Sequence, residues 1–152
     1  MPAEPTDTFH ILGTIIRLLS PSKSNGGAFS LAEYRVRPGS GAPLNRHPGD
    51  DESFYVISGQ CEFSVDGKMM VLGPGGFLQV PNGSPHHFRN AGTNVAVLLA
   101  VNAPGLIHEQ FYAEAGDRLP SGSTVFPTPK GPPDIAALRA IAARCGITFV
   151  ET

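Results

Sequence analysis

Asn45, His47, Glu52 and His86 fall at regular spacings in two short stretches. The first reads Gly39-x5-Asn45-x-His47-x4-Glu52-x6-Gly59, and the second Gly75-x5-Pro81-x-Gly83-x2-His86-x3-Asn90. Two imidazoles, a carboxylate and a carboxamide offer borderline nitrogen and oxygen donors. Such a set suits Fe(II), Mn(II), Ni(II), Cu(II) or Zn(II), with positions left open for substrate or oxygen. His47, Glu52 and His86 alone make a two-histidine, one-carboxylate set. Without a metal, the same groups would serve as general acid and base or hold a small molecule by hydrogen bonds. Glu52 in an otherwise apolar strand is costly to bury unless it is paired or ligating. His10, His87 and His108 lack such spacing and read as satisfied or exposed histidines. Gly39, Gly59, Gly75 and Gly83 read as turn glycines. Arg35, Arg37 and Arg46 read as surface charges, one of which would greet an anionic substrate at a rim.

The elements around these residues explain how they could meet. Side chains alternate faces along a strand, so Asn45 and His47 point to one side, as do Glu52, Phe54 and Val56. His86 shares a face with Phe88, while His87 and Arg89 face away. A barrel gathers such residues at one end of its lumen, and Phe54, Val56, Phe63, Phe77 and Phe88 are expected to wall an apolar pocket there. Short apolar runs recur about every ten residues: 54–57, 61–65, 68–72, 77–80, 86–89 and 95–101, with 9–19 and 29–36 before them. Asp66-Gly67, Pro74-Gly75-Gly76 and Pro81-Asn82-Gly83 punctuate them as turns. Pro38 to Asp51 reads as a loop or irregular strand, Ile107 to Tyr112 as a strand or a short helix, and 113–133 as a long Pro/Gly/Ser loop. Asp134 caps a helix to Cys145 that Gly146 stops, and 147–150 read as a last strand.

The composition bounds the rest. The 152 residues are 41% hydrophobic and 16% charged, with 18 Gly and 15 Pro. One all-β domain over 1–152 is expected: a barrel core at about 28–112, the 113–133 loop, and a C-terminal helix and tail at 134–152. The net charge of −2 comes with no basic run among the 11 Lys and Arg residues, so there is no electrostatic case for nucleic acid or anionic lipid. Cys61 and Cys145 read as reduced, partly buried thiols. The start, MPAEPTDTFH, reads as a loose polar tail over 1–8 and lacks a signal-peptide pattern. The apolar run at 11–19 is too short to span a bilayer, so a cytoplasmic setting is expected.

The two spacings resemble the two motifs of the cupin superfamily, G-x5-H-x-H-x3–4-E-x6-G and G-x5-P-x-G-x2-H-x3-N. The second agrees at every defined position. The first departs once, with Asn45 where the motif has its first histidine. The stretches GDDESFYVISGQ and GPGGFLQVPNGSPHHFRN are also similar to small quercetin-dioxygenase-like cupins, and the resemblance covers about residues 28–112. It implies a double-stranded β-helix (a jelly-roll barrel) and a homodimer. It also implies a divalent transition metal on His47, Glu52 and His86, with Asn45 as a weak fourth ligand or an orienting group. The implied activity is a dioxygenase-like oxidoreductase acting on a small aromatic or enol-bearing molecule, with Glu52 as general base. Two other functions stay open on the same barrel: a non-catalytic small-molecule-binding cupin, and a metal-independent isomerase or lyase using His47 or His86.

Overall fold

Turn chemistry sets the first elements of the computed structural model, which describes residues 6–151. Strands β1 (Thr8–Ile11) and β2 (Thr14–Ser20) fold back on each other at Leu12-Gly13. Both turn residues have positive φ, 49° and 79°, which matches the twist of a two-residue hairpin. The single strand expected over 9–19 is therefore two. Of the expected N-terminal tail, residues 1–5 lie outside the described residues, and Thr8 already opens β1.

The chain continues through β3 (Ser30–Val36), the two-residue β4 (Asn45–Arg46) and β5 (Asp51–Ser58). Then come β6 (Cys61–Val65), β7 (Lys68–Leu72), β8 (Phe77–Val80), β9 (His86–Arg89) and β10 (Ala96–Ala103). Asp66-Gly67 repeats the hairpin geometry, with φ of 52° and 79°. Helix α1 (Leu106–Ala115), β11 (Asp117–Leu119), α2 (Ile135–Cys145) and β12 (Thr148–Phe149) complete it. The segment left open between strand and helix at 107–112 is helical. The 113–133 stretch is not all loop, because α1 runs into it and β11 pairs with β1.

All strand pairings are antiparallel, in two sheets ordered β11-β1-β2-β3-β10-β5-β8 and β12-β4-β9-β6-β7. The architecture is the jelly-roll barrel with a short C-terminal helix that the sequence predicts, with α1 added. Alternation decides the core. On β5, Glu52, Phe54 and Val56 point inward; on β10, Leu98, Ala100 and Asn102 do so; on β3, Ala32, Tyr34 and Val36. Phe63 and Phe88 close the core from the second sheet, with Phe54 and Phe63 ring centres 5.3 Å apart. Cys61 and Cys145 are buried free thiols, and burial pushes the Cys61 thiol up to about 12. No helix among the described residues is long and apolar enough to cross a membrane.

At the C-terminus, Asp134 caps α2 by accepting from Ala137 N, and Gly146 ends it in the left-handed region. β12 then pairs with β4, so that Phe149 lies opposite Asn45. Ala142, Ile147 and Phe149 form a second apolar cluster against Ile107, Phe111 and Leu138, which braces α1 from the outside.

Candidate metal centre

Four side chains from four parts of the chain converge at the end of the barrel near α1. His47 follows β4, Glu52 comes from β5, His86 from β9 and His108 from the first turns of α1. All four are buried. His47 Nε2 lies 3.1 Å from His86 Nε2 and 3.4 Å from Glu52 Oε1. His86 Nε2 is 3.0 Å from Glu52 Oε1, and His108 Nε2 is 3.4 Å from Glu52 Oε2. Single ligand atoms of His47, Glu52 and His108 all lie within 4.8 Å of one another.

The outward nitrogens show how the rings are oriented. His47 Nδ1 donates to Asp50 Oδ1 at 2.5 Å, and His108 Nδ1 donates to Asp50 Oδ2 at 3.0 Å. His86 Nδ1 donates to the carbonyl of Ser84 at 2.8 Å. Each of these oxygens can only accept, so each Nδ1 carries the proton and each Nε2 turns toward Glu52. An acceptor behind every imidazole is the usual support of a metal-ligating histidine. Asn102, opposite Glu52 in the β5–β10 register, donates to Glu52 Oε2 at 2.7 Å and to Asp50 Oδ2 at 3.2 Å. Asn82 ties down the turn that carries Asp50 by donating to the carbonyls of Pro48 and Asp50.

The charges in the cluster hold one another. Burial alone would lower the His47 pKa, but hydrogen bonds to Asp50 and Glu52 raise it to about 10. Burial alone would raise Glu52, but the charge of His108 and hydrogen bonds from His47 and His86 drive it well below the usual carboxylate range. Asp50 is lowered against its burial in the same way, by hydrogen bonds from His108 and His47. The imidazole nitrogens of His47 and His108 and the ionised carboxylate of Glu52 fit a divalent transition metal, with His86 Nε2 beside them at 3.0 Å from Glu52 Oε1.

A cavity of about 80 Å³ opens beside the cluster, and Glu52, His86 and His108 reach it. Of the residues expected to wall it, Phe54 and Phe88 do. Val56 and Phe63 are not on its lining and lie deeper, 0% and 1% exposed. Phe77 is elsewhere: it pairs with Tyr55 on the outer face of β5–β8 and is 62% exposed. The parity of β8 explains this, because Leu78 and Val80 take the positions opposite Phe54 and Glu52. Asn45 also lines the cavity, but its Nδ2 donates to the carbonyls of Pro43 and His86. Among the described residues no hydrogen bond joins it to His47, Glu52 or His108.

His108 and Asp50 are the groups that motif spacing passes over. His108, expected to be a satisfied or exposed histidine, is a cluster member that α1 brings in 22 positions beyond His86. Asn102 did leave a signal, as a polar residue on the apolar face of β10, where an unpaired amide would be costly to bury.

Comparison with known proteins agrees with this architecture. A model of the Cupin domain matches residues 32–102. The quercetin 2,3-dioxygenase of Bacillus subtilis is 30% identical over 111 residues, 73% of this chain but 32% of that protein, so the chain spans about a third of its length. The oxalate-binding protein of Thermotoga maritima is 30% identical over 84 residues, 55% of this chain and 69% of that one. Among solved structures, a polyketide cyclase from Streptomyces resistomycificus superimposes with a TM-score of 0.56 at 23% identity, over 67% of this chain and 70% of that one. With both motifs on one jelly-roll barrel, a Cupin domain match over residues 32–102 and the oxalate-binding protein matched over 69% of its length, this chain belongs to the cupin family.

Proposed function

We propose that the chain is a metal-dependent cupin of the quercetin-dioxygenase-like type, an oxidoreductase acting on a small aromatic or enol-bearing molecule. His47, Glu52, His86 and His108 hold one divalent transition metal, and the substrate lies in the adjoining cavity. The approach of His47 Nε2 to His86 Nε2, at 3.1 Å, carries this reading. With both Nδ1 atoms donating elsewhere, neither ring can turn an N–H toward the other without becoming cationic, so this approach calls for a proton or a metal cation on the Nε2 side. Against its burial, Asp50 and Glu52 raise the His47 pKa, so the site favours positive charge at this ring.

Each side chain then has a role. The three imidazoles and Glu52 supply the ligands, and Asp50 holds His47 and His108 in the ligating tautomer. Asn45 orients the backbone of β9 beside the cavity. Among the described residues Glu52 is the only carboxylate on the cavity wall, so it is the group that would take a proton from a substrate hydroxyl. When bound, the metal would supply Lewis acidity and, for a redox-active ion, a route for electron transfer to oxygen. The name of the Bacillus subtilis relative supports the oxidative class. The name of the Thermotoga maritima relative favours a second reading on the same site, ligand binding without turnover.

Elemental analysis of protein purified without chelator or affinity tag tests the metal, with about one transition-metal ion per chain expected. A chain that carries none, and retains none of Fe(II), Mn(II) or Ni(II) when they are added, sinks the reading. Oxygen uptake with aromatic enols then separates turnover from binding. The family resemblance also implies a homodimer, which sedimentation of the purified chain tests separately.

A further inference from the structure

The cavity beside the cluster is mostly apolar, yet three hydroxyls in its wall are left without full hydrogen bonding. Tyr34 on β3 and Tyr112 on α1 are 5% and 2% exposed, and their hydroxyls hydrogen-bond to each other. Two hydroxyls carry two protons, and the bond between them uses one. Neither oxygen has another hydrogen-bond partner among the described residues, so the second proton has no acceptor there. Thr14 on β2 is 4% exposed, and its Oγ1 is buried with no partner at all. All three residues line the same cavity as Glu52, His86 and His108. Thr14 and Tyr34 also point to one face: Ile16 lies opposite Tyr34 and Thr14 opposite Val36, which makes Thr14 and Tyr34 diagonal neighbours.

Buried hydroxyls that lack partners are costly, and a native fold keeps them where something else completes the bonding. Two donors without acceptors call for a ligand atom that accepts twice. We infer that Thr14, Tyr34 and Tyr112 form an oxygen-binding subsite for a phenolate or enolate oxygen of the ligand, separate from the metal ligands. Burial keeps both tyrosines protonated through the physiological range, so they act as donors. The aromatic wall of Phe54 and Phe88 receives the planar body that carries this oxygen. The inference deepens the proposed function by naming the group that the pocket recognises, and it depends on the cavity rather than on the metal.

4-Nitrophenol is a direct probe, because its visible band reports whether it is bound as phenol or phenolate. Titration into the protein as purified, and into chelator-treated protein, is expected to show binding as the phenolate. The pKa of the bound dye should fall below that of the free dye, since donors to an anion favour the charged form. Nitrobenzene, which lacks the phenolic hydroxyl, should bind at least about tenfold more weakly. Thr14→Val and Tyr112→Phe, which keep side-chain shape, should each weaken phenolate binding roughly fivefold, with metal content unchanged. Equal binding by both variants and wild type, or binding of the neutral phenol only, overturns the subsite. Protein that carries no metal as purified and retains none of the added ions, yet binds the dye through its hydroxyl, overturns the metal reading instead.

Discussion

Asp50 accepts from two imidazoles at once, one oxygen to His47 and the other to His108, and so couples a motif histidine to one outside both motifs. That link makes the roles of His108 and Asn45 separable. His108→Ala should lower transition-metal affinity by about 100-fold or more, beyond the 10- to 100-fold typical of supporting residues. Asn45→Ala should change it only a few-fold, because the Asn45 amide donates to backbone carbonyls. Competition with a chromogenic chelator measures both, and the reverse order would return the fourth ligand position to Asn45. The tyrosines give a second prediction at this scale. Tyr34 and Tyr112 are raised, first by burial, so the folded chain keeps protons that an unfolded chain loses near pH 10. Their contribution is complete below that value and is lost as the pH rises. Stability should therefore fall by about 1.4 kcal/mol per pH unit for each tyrosine above pH 10. Urea unfolding of wild type and of Tyr34→Phe between pH 9 and 11.5 should show a shallower decline in the variant.

At the level of elements, α1 decides whether His108 arrives. Glu109, the next residue, accepts from Ser22 N at 2.6 Å and from Ser22 Oγ at 2.7 Å, tying the first turn of α1 to the 3-10 turn at Ser22–Ser24. Gly105, just before α1, lies against β3 so closely that a Cβ there would sit 2.7 Å from backbone atoms of Phe29 and Ser30. From the other side, Phe111 packs edge-on against Phe149, with ring centres 6.4 Å apart. Glu109→Ala removes a charge-assisted pair of hydrogen bonds, so a loss of about 2 kcal/mol in unfolding free energy is expected. The more specific result is a several-fold drop in metal affinity although no ligand is altered. A variant that is destabilised but binds metal as well as wild type would show that α1 is held by its neighbours without this contact.

At the scale of the molecule, the two sheets and the C-terminal brace bring together groups that a metal then links. A ligand that binds only the folded chain stabilises it by mass action, about 2.7 kcal/mol at a free concentration 100 times the dissociation constant. For a chain of this size that raises Tm by roughly 5 to 11 °C. Thermal melts with and without added Fe(II), Mn(II) or Ni(II) test this, and His108→Ala should gain much less. A wild type whose Tm ignores all three ions would remove the metal from the account of the whole fold.

The local pattern alone determined much of this. The bounds of β6, β7, β8 and β9 agree residue for residue with the apolar runs between their Gly and Pro turns, because turn residues with positive φ, such as Asp66 and Gly67, act over only two or three positions. His47, Glu52 and His86 were legible as a set for a similar reason: strand alternation and spacing put them on inward faces. Alternation could not say how deep each inward residue lies, which is why Val56 and Phe63 sit below the cavity. Nor could it say which parity β8 adopts, which is why Phe77 faces solvent. Only the tertiary structure decided that the cluster has a fourth member. His108 sits on an ordinary helical turn, and nothing near it in the chain marks it as a ligand. It becomes one because α1 is seated by Ser22, β3 and Phe149, more than 35 residues away in either direction, which places its Nε2 beside Glu52.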